Sequence, residues 1–284
     1  MRKAKNRRGK WLGRGVAVLV IAALVSFFLK TRAERKWRGD ERFTLIVWNG
    51  MMTVASFDPV TERGLKLILP PELEVVTVGG RGRWQVKVLP QIGEKYGGKW
   101  VADSVADYLS VGYTAYAKSD NLSGINLWDR FNWWQWSRKV RWEELELKTL
   151  PGVVEAKAAD GQVYRELSSG FKAGMSGRLI STSISLEGAE VTVVNTTEVD
   201  GLGSHVAEVL ENTGLAVKSV VSESSQAEKC EVLTGSEPRK VAISYKWMLK
   251  YFGCREGKDE GLGEKEIKII LGKKYRQWWL GEGS

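Results

Sequence analysis

The chain has 284 residues, 43% hydrophobic and 27% charged, with a formal net charge of +9. That length allows one or two compact domains, and the composition excludes wholesale disorder. The excess charge is local: residues 1–42 hold thirteen Lys or Arg against three acids, so the remaining residues sum to −1. A nucleic-acid binder carries basic charge on its folded body to neutralise phosphates. This body is close to neutral, which excludes nucleic acid as a partner and marks the basic segment as a membrane flank.

The run from Gly15 to Leu29 is uncharged and almost wholly apolar. With Trp11 and Leu12 ahead of it, and Arg14 and Lys30 able to snorkel, it reaches the short end of what spans a bilayer core. Its exit, Lys30-Thr31-Arg32, offers no small-residue cleavage site, so an uncleaved signal anchor is expected rather than a removed leader. More cations precede the span than follow it. This predicts a cytoplasmic N-terminus and an extracytoplasmic body, with the lipid bilayer as a partner through the N-terminal helix.

Four segments are expected: residues 1–42 as basic start, anchor and charged linker; 43–150 as a mixed α/β domain; 151–187 as a Gly- and Ser-rich connector; and 188–284 as a second domain. The fold class is α/β (α+β). In the first domain, residues 44–47, 53–57 and 65–69 read as strands separated by Asn49-Gly50 and Asp58-Pro59. Residues 72–78 and 84–89 are further strands around Gly79-Gly80-Arg81-Gly82. That glycine run lacks the Lys-Ser/Thr of a Walker loop and reads as a hairpin turn. Residues 101–109 are expected to be helical and 113–117 a strand.

Residues 127–147 are expected to be one helix with many aromatics. At about 100° per residue, Leu127, Phe131, Trp134, Trp142 and Leu145 share one stripe, while Trp133, Trp136 and Val140 fall nearly opposite. One stripe buries against the sheet. The Trp133/Trp136 stripe is either core between two layers or a contact surface for the bilayer, a ligand or another subunit.

In the last segment the order is strand 189–195, helix 202–213 closed by Gly214, strands 215–221 and 229–233, helix 239–252 closed by Gly253, and strand 266–271. This β-α-β-β-α-β order matches the ferredoxin-like plan. It places Cys230 and Cys254 at the same end of the domain. They are either a disulfide, worth about 3 kcal/mol, or two separately buried thiols. Asn195, Thr196 and Thr197 precede the helix at Leu202 and either cap the turn or offer a polar loop to an anion. His205, the single histidine, is either a contact residue or a surface residue without a role. With one histidine and two cysteines, no zinc site of the usual ligand set is available, and no metal or cofactor is expected.

The segment Val191-Thr192-Val193-Val194-Asn195-Thr196-Thr197, followed by Gly201-Leu202-Gly203, Val206-Ala207, Leu210 and Gly214, resembles the LytR C-terminal domain of bacterial cell-envelope proteins. Ile269-Ile270-Leu271-Gly272 and Tyr275 match that domain's closing strand. Residues 43–117 resemble a reduced LytR-CpsA-Psr domain, with Asp58-Pro59, residues 65–69 before Pro70, and Gly97-Gly98 in similar places. That resemblance implies transfer of lipid-linked glycopolymers to peptidoglycan, using arginines and acids around a pyrophosphate and magnesium. The catalytic positions do not match. Pro70-Pro71-Glu72 stands where the family has Pro-Arg-Asp, the region of Gly50 and Met51 supplies no metal-binding carboxylate, and Arg130, Arg138 and Arg141 do not align with the family's arginine segment. No catalytic residue is assigned. The expected function is a membrane-anchored, non-catalytic binding or interaction module of the cell envelope, whose partner is a cell-wall glycopolymer or an envelope protein. The alternative is a phosphotransferase with an altered site, which requires Arg63, Arg81, Arg83, Glu72 and Asp103 to converge.

Overall fold

A computed structural model describes residues 8–33, 35–118, 122, 125–159, 161–224, 227–235 and 241–281. Helix α1 (Arg8–Ala33) contains the apolar run. Its side chains are described from residue 19 onward, Leu24 excepted, so the Gly15 end of the expected span lies outside them. Among the described residues no helix is long and apolar enough to cross a membrane.

The segment after α1 is more than a charged linker. Trp37 is fully buried, and its indole Nε1 donates to the Glu41 carbonyl at 2.7 Å. It belongs to an aromatic cluster with Phe43 and Phe57, a cross-strand pair whose rings stack at 5.6 Å while Trp37 meets both edge-on. Aromatic pairs in this geometry add to the stabilisation from burial alone.

The first sheet has the order β6-β1-β2-β3-β7, built from β1 (Phe43–Asn49), β2 (Met51–Asp58), β3 (Arg63–Leu69), β6 (Ala115–Ala117) and β7 (Arg141–Glu146). The first three strands pair antiparallel, and β6 and β7 join parallel at the two edges. Alternation along β1 sends Phe43 and Leu45 into the Trp37 cluster and Ile46 and Trp48 into a second core on the other face. That second core packs against α2 (Leu89–Tyr96) and α3 (Gly98–Tyr108). A short hairpin of β4 (Glu74–Val76) and β5 (Arg83–Gln85) turns through Gly79–Gly82 as expected. The strand expected over 84–89 stops at Gln85, because Leu89-Pro90 opens α2 and proline is favoured in a first helical turn.

The helix expected over 127–147 is also shorter. Helix α4 (Leu127–Ser137) ends at a turn, and residues 141–146 form β7 against the free edge of β3. Gly64 makes this possible: a Cβ there would stand 2.6 Å from both the Trp142 ring and Val140. The Trp133/Trp136 stripe takes the core alternative, and part of the other stripe is left uncovered. Trp133 and Trp136 pack into the Trp37 cluster, while Leu127, Phe131 and Trp134 are each at least half exposed. Two contacts fix this orientation. Asn126 caps the helix by accepting from the Trp128 N–H, and the buried Asp129 carboxylate accepts the backbone N–H groups of Lys36 at 2.7 Å and Trp37 at 2.9 Å.

The connector folds as β8 (Val153–Lys157) paired with β9 (Val163–Leu167), then α5 (Gly170–Met175) and α6 (Thr182–Glu187). Phe171, Met175 and Leu179 join the first core, and Ile184 joins the core of the second domain.

The second sheet has the order β11-β10-β14-β12-β13, from β10 (Glu190–Asn195), β11 (Ala216–Ser222), β12 (Glu231–Thr234), β13 (Arg255–Lys258) and β14 (Glu266–Leu271). Helices α7 (Leu202–Thr213) and α8 (Ala242–Phe252) pack on it, and α9 (Lys273–Leu280) closes the chain. The ferredoxin-like expectation is corrected here. β10 and β11 are direct parallel neighbours joined through α7, so the first βαβ unit is not split, and β13 adds a strand parallel to β12.

Trp37→Ala is expected to cost about 3–5 kcal/mol, as truncation of a buried tryptophan does. Urea unfolding checks it, and the exposed Lys36→Ala should leave the midpoint nearly unchanged.

Candidate functional site

A cleft of about 750 Å³ opens between the two domains. Residues 36–41, α3 and Tyr113 form one wall; Lys229, Cys230, α8 and the start of α9 form the other. The wall positions are set by a seam along α3. Asp103 and Asp107, one helical turn apart, lie on one face. Asp103 accepts from Lys99 Nζ at 2.6 Å, Tyr113 OH at 2.5 Å and Trp278 Nε1 at 3.4 Å. Asp107 accepts from Trp279 Nε1 at 3.2 Å and stands 2.7 Å from His205 Nε2. Asn212 Nδ2 donates to the Ser110 carbonyl at 2.8 Å, and Tyr251 OH to that of Val111 at 3.2 Å. Carboxylates withdrawn from water need several donors, and here most of the donors come from the other domain.

Helix α9 docks through backbone as well. The Gly79 N–H donates to the Trp279 carbonyl at 2.9 Å. Gly80 and Gly281 both adopt positive φ, and a Cβ on either would collide with the opposing backbone. The glycine-rich turn thus provides both the hairpin and a close approach between chain segments.

Six cations line the cleft: Lys36, Lys99, Lys229, Lys250, Arg255 and Lys274. Lys229, Arg255 and Lys274 stand close enough that the Arg255 charge, followed by burial and Lys274, pulls the Lys229 ammonium below its ordinary pKa. The fold enforces this crowding. β12 and β13 run parallel with Glu231 opposite Arg255, and Cys230 and Cys254 are joined by a disulfide with Cα atoms 4.6 Å apart. Trp247, Tyr251, Phe252, Tyr275 and Trp278 supply the apolar wall. Of the two lining carboxyls, Asp103 is held by its three donors. Glu41 is pushed up to about 8, first by burial and then by the neighbouring Asp40. Burial also lowers the Lys250 ammonium, and Glu41 opposes that shift. The cleft therefore presents positive potential beside aromatic faces, which suits an anion carrying rings or an apolar chain.

The sequence-predicted residues lie elsewhere. Asn195, Thr196 and Thr197 are buried in the turn from β10 to α7. Asn195 Oδ1 accepts from the Thr197 N–H at 3.1 Å and its hydroxyl at 2.6 Å, and Thr196 Oγ1 donates to the Leu271 carbonyl at 2.7 Å. His205 belongs to the domain seam. Trp133 and Trp136 pack on the first sheet. Of the five residues required to converge for phosphotransfer, Glu72 pairs with Arg165, Arg83 with Glu74 and Glu166, and Arg81 stacks on Tyr96. Arg63 opens β3, and only Asp103 reaches the cleft. Among the described residues no three His, Cys, Asp or Glu side chains cluster to hold a metal. The missed signal is the interleaving of basic and aromatic residues over 245–255 and 273–279.

Both titrating groups give the domain seam a pH dependence of the same sign. Burial alone would lower the His205 pKa, but the Asp107 hydrogen bond and charge raise it overall. A raised folded-state pKa stabilises the protein below the unfolded value of about 6.5, and this is lost as pH climbs through the folded value. Glu41 holds its proton more tightly when folded, so its contribution also falls between 4.5 and about 8. Thermal unfolding should therefore show stability declining across this range, with Glu41→Gln and His205→Asn each flattening the decline.

No curated protein matches the chain. Among solved structures, it is similar to B. subtilis TagT (10% identity, 49% of this chain and 89% of that one, TM-score 0.36). It is similar to a LytR-CPS2A-psr family protein, YwtF (TagT), with bound octaprenyl pyrophosphate lipid (9%, 49% and 89%, 0.32). It is also similar to B. subtilis TagV (8%, 76% and 98%, 0.24). Residues 188–275 match the family model described as LytR cell envelope-related transcriptional attenuator, so the second domain is a LytR C-terminal domain.

Proposed function

We propose that this protein is a membrane-tethered, extracytoplasmic binding protein of the cell envelope, and that its interdomain cleft holds a phosphate-bearing glycopolymer without turning it over. The observation that carries this reading is the cleft, with six cations beside an aromatic wall. Phosphates favour the rim of Lys229, Arg255 and Lys274, and sugar rings favour the faces of Trp247 and Trp278. The match of residues 188–275 to a cell envelope-related family model supports an envelope setting for such a ligand. Arg63, Arg81, Arg83 and Glu72 stand away from Asp103, so the residue set that the phosphotransfer alternative required does not converge, which supports binding.

The tether in this reading is α1. The apolar run from Gly15 to Leu29, flanked by Arg14 and Lys30, extends upstream of the described side chains and suits a short span in a locally thinned bilayer. The Cys230–Cys254 disulfide favours an oxidising compartment for the body, hence a cytoplasmic N-terminus.

The test uses the full chain in detergent micelles, titrated with a soluble poly(polyol phosphate) glycopolymer and with a neutral polysaccharide of matched length that carries no phosphate. Binding is expected only for the phosphorylated form, weakening as salt is raised. Lys229→Glu with Arg255→Glu should reduce affinity by about tenfold or more, the worth of one charge-assisted contact. Equal binding of both polymers, or release of a lipid phosphate from a lipid-linked donor with magnesium, refutes the reading.

A further inference from the structure

The face of α4 that the sheet leaves uncovered is continuous with α1. Phe28 of α1 meets Trp128 edge-on with ring centroids 4.9 Å apart. Trp128 meets Phe131 at 6.3 Å, Phe131 stacks on Trp134 at 6.0 Å, and the Arg138 guanidinium lies 3.9 Å over the Trp134 ring. An aromatic ribbon therefore leaves the anchor helix and runs the length of α4. Leu127 is 55% exposed, and Phe131 and Trp134 are each 50% exposed. The α1 side chains beside the ribbon, Phe27, Phe28 and Leu29, are at least half exposed as well.

Helix α4 is tied to the chain just beyond α1. Asp129 grips the backbone of Lys36 and Trp37, and Trp37 is locked in the core, so α4 keeps its place relative to the end of α1. The charges fit one occupant. Lys30 and Arg32 close α1, and Arg130, Arg138 and Lys139 are exposed along α4. A helix with exposed aromatics on one face and cations at its edges, set at the exit of an apolar helix, matches the headgroup level of an anionic bilayer.

We propose that α4 is an interfacial helix. It lies in the headgroup region of the membrane that α1 enters, with Leu127, Phe131 and Trp134 at the acyl boundary and Arg130 and Arg138 at anionic headgroups. This rests on the reading of α1 as the tether, and it fixes how the body stands: the first sheet sits on the membrane through α4.

The test uses the full chain reconstituted in vesicles of phosphatidylcholine and phosphatidylglycerol. Cys230 and Cys254 are paired, so a single spin label is placed by Gln135→Cys on α4 or, as a control, by Glu211→Cys on α7. Accessibility is read with membrane-dissolved oxygen and with an aqueous nickel chelate. The label at 135 is expected to favour oxygen and that at 211 to favour nickel. Adding Leu127→Ser, Phe131→Ser and Trp134→Ser should bring position 135 to the value at 211. Resistance to carbonate extraction reads the tether separately. A nickel-accessible label at 135 in a protein that resists extraction overturns the interfacial helix and leaves the tether standing. A label at 135 shielded from both reagents assigns the face to a second copy or a protein partner and also overturns the proposal. Release by carbonate removes the tether and the proposal together.

Discussion

The domain arrangement depends on two carboxylates one turn apart on α3. Asp103 and Asp107 sit where two domains meet and where water is scarce, so each must collect donors from whatever packs against it. Trp278, Trp279 and His205 supply them from the second domain, and Tyr113 and Lys99 from the first. Removing Asp103 would orphan the Tyr113 hydroxyl and the Trp278 indole, and removing Asp107 would orphan the Trp279 indole and His205. The cleft follows from this constraint, because the seam fixes the distance between the α3 wall and the α8 and α9 wall.

Within that frame the basic rim is held in place covalently. Lys229, Arg255 and Lys274 crowd at this rim, and repulsion from the Arg255 charge is the main cause of the lowered Lys229 pKa. The disulfide from Cys230 to Cys254 and the parallel pairing of β12 with β13 hold the rim together against that repulsion. In the proposed binding role, an anion at this rim offsets that repulsion.

On the opposite side of the first sheet, a second carboxylate does a comparable job. Asp129 satisfies two backbone N–H groups just beyond α1 and turns α4 so that Trp133 and Trp136 face inward. The exit of the N-terminal helix is thereby part of the domain core, and the direction in which the chain leaves α1 is set by packing.

The sequence by itself determined the features that depend on composition and short-range pattern. These include the segregation of charge into residues 1–42, the apolar run from Gly15 to Leu29, the alternating strands β1 to β3, the amphipathic α7 with its Gly214 cap, and the closing strand β14. Each is encoded by residue type at a fixed period, which local physics reads without a partner. Only the tertiary structure decided what depends on partners. A Trp-rich segment with two possible stripes carries no mark of which stripe is buried; the Trp37 cluster and the Asp129 clasp made that choice. Residues 141–146 fit a helical period as well as a strand, and the free edge of β3 resolved the ambiguity. Asp103 was legible only as a candidate for a different site, His205 as a contact residue without a partner, and Asp107 not at all, until the seam brought residues about a hundred positions apart into contact. The sheet order, and with it the departure from the split plan, was equally out of reach, because a one-dimensional pattern specifies which face of an element is apolar but not what will cover it.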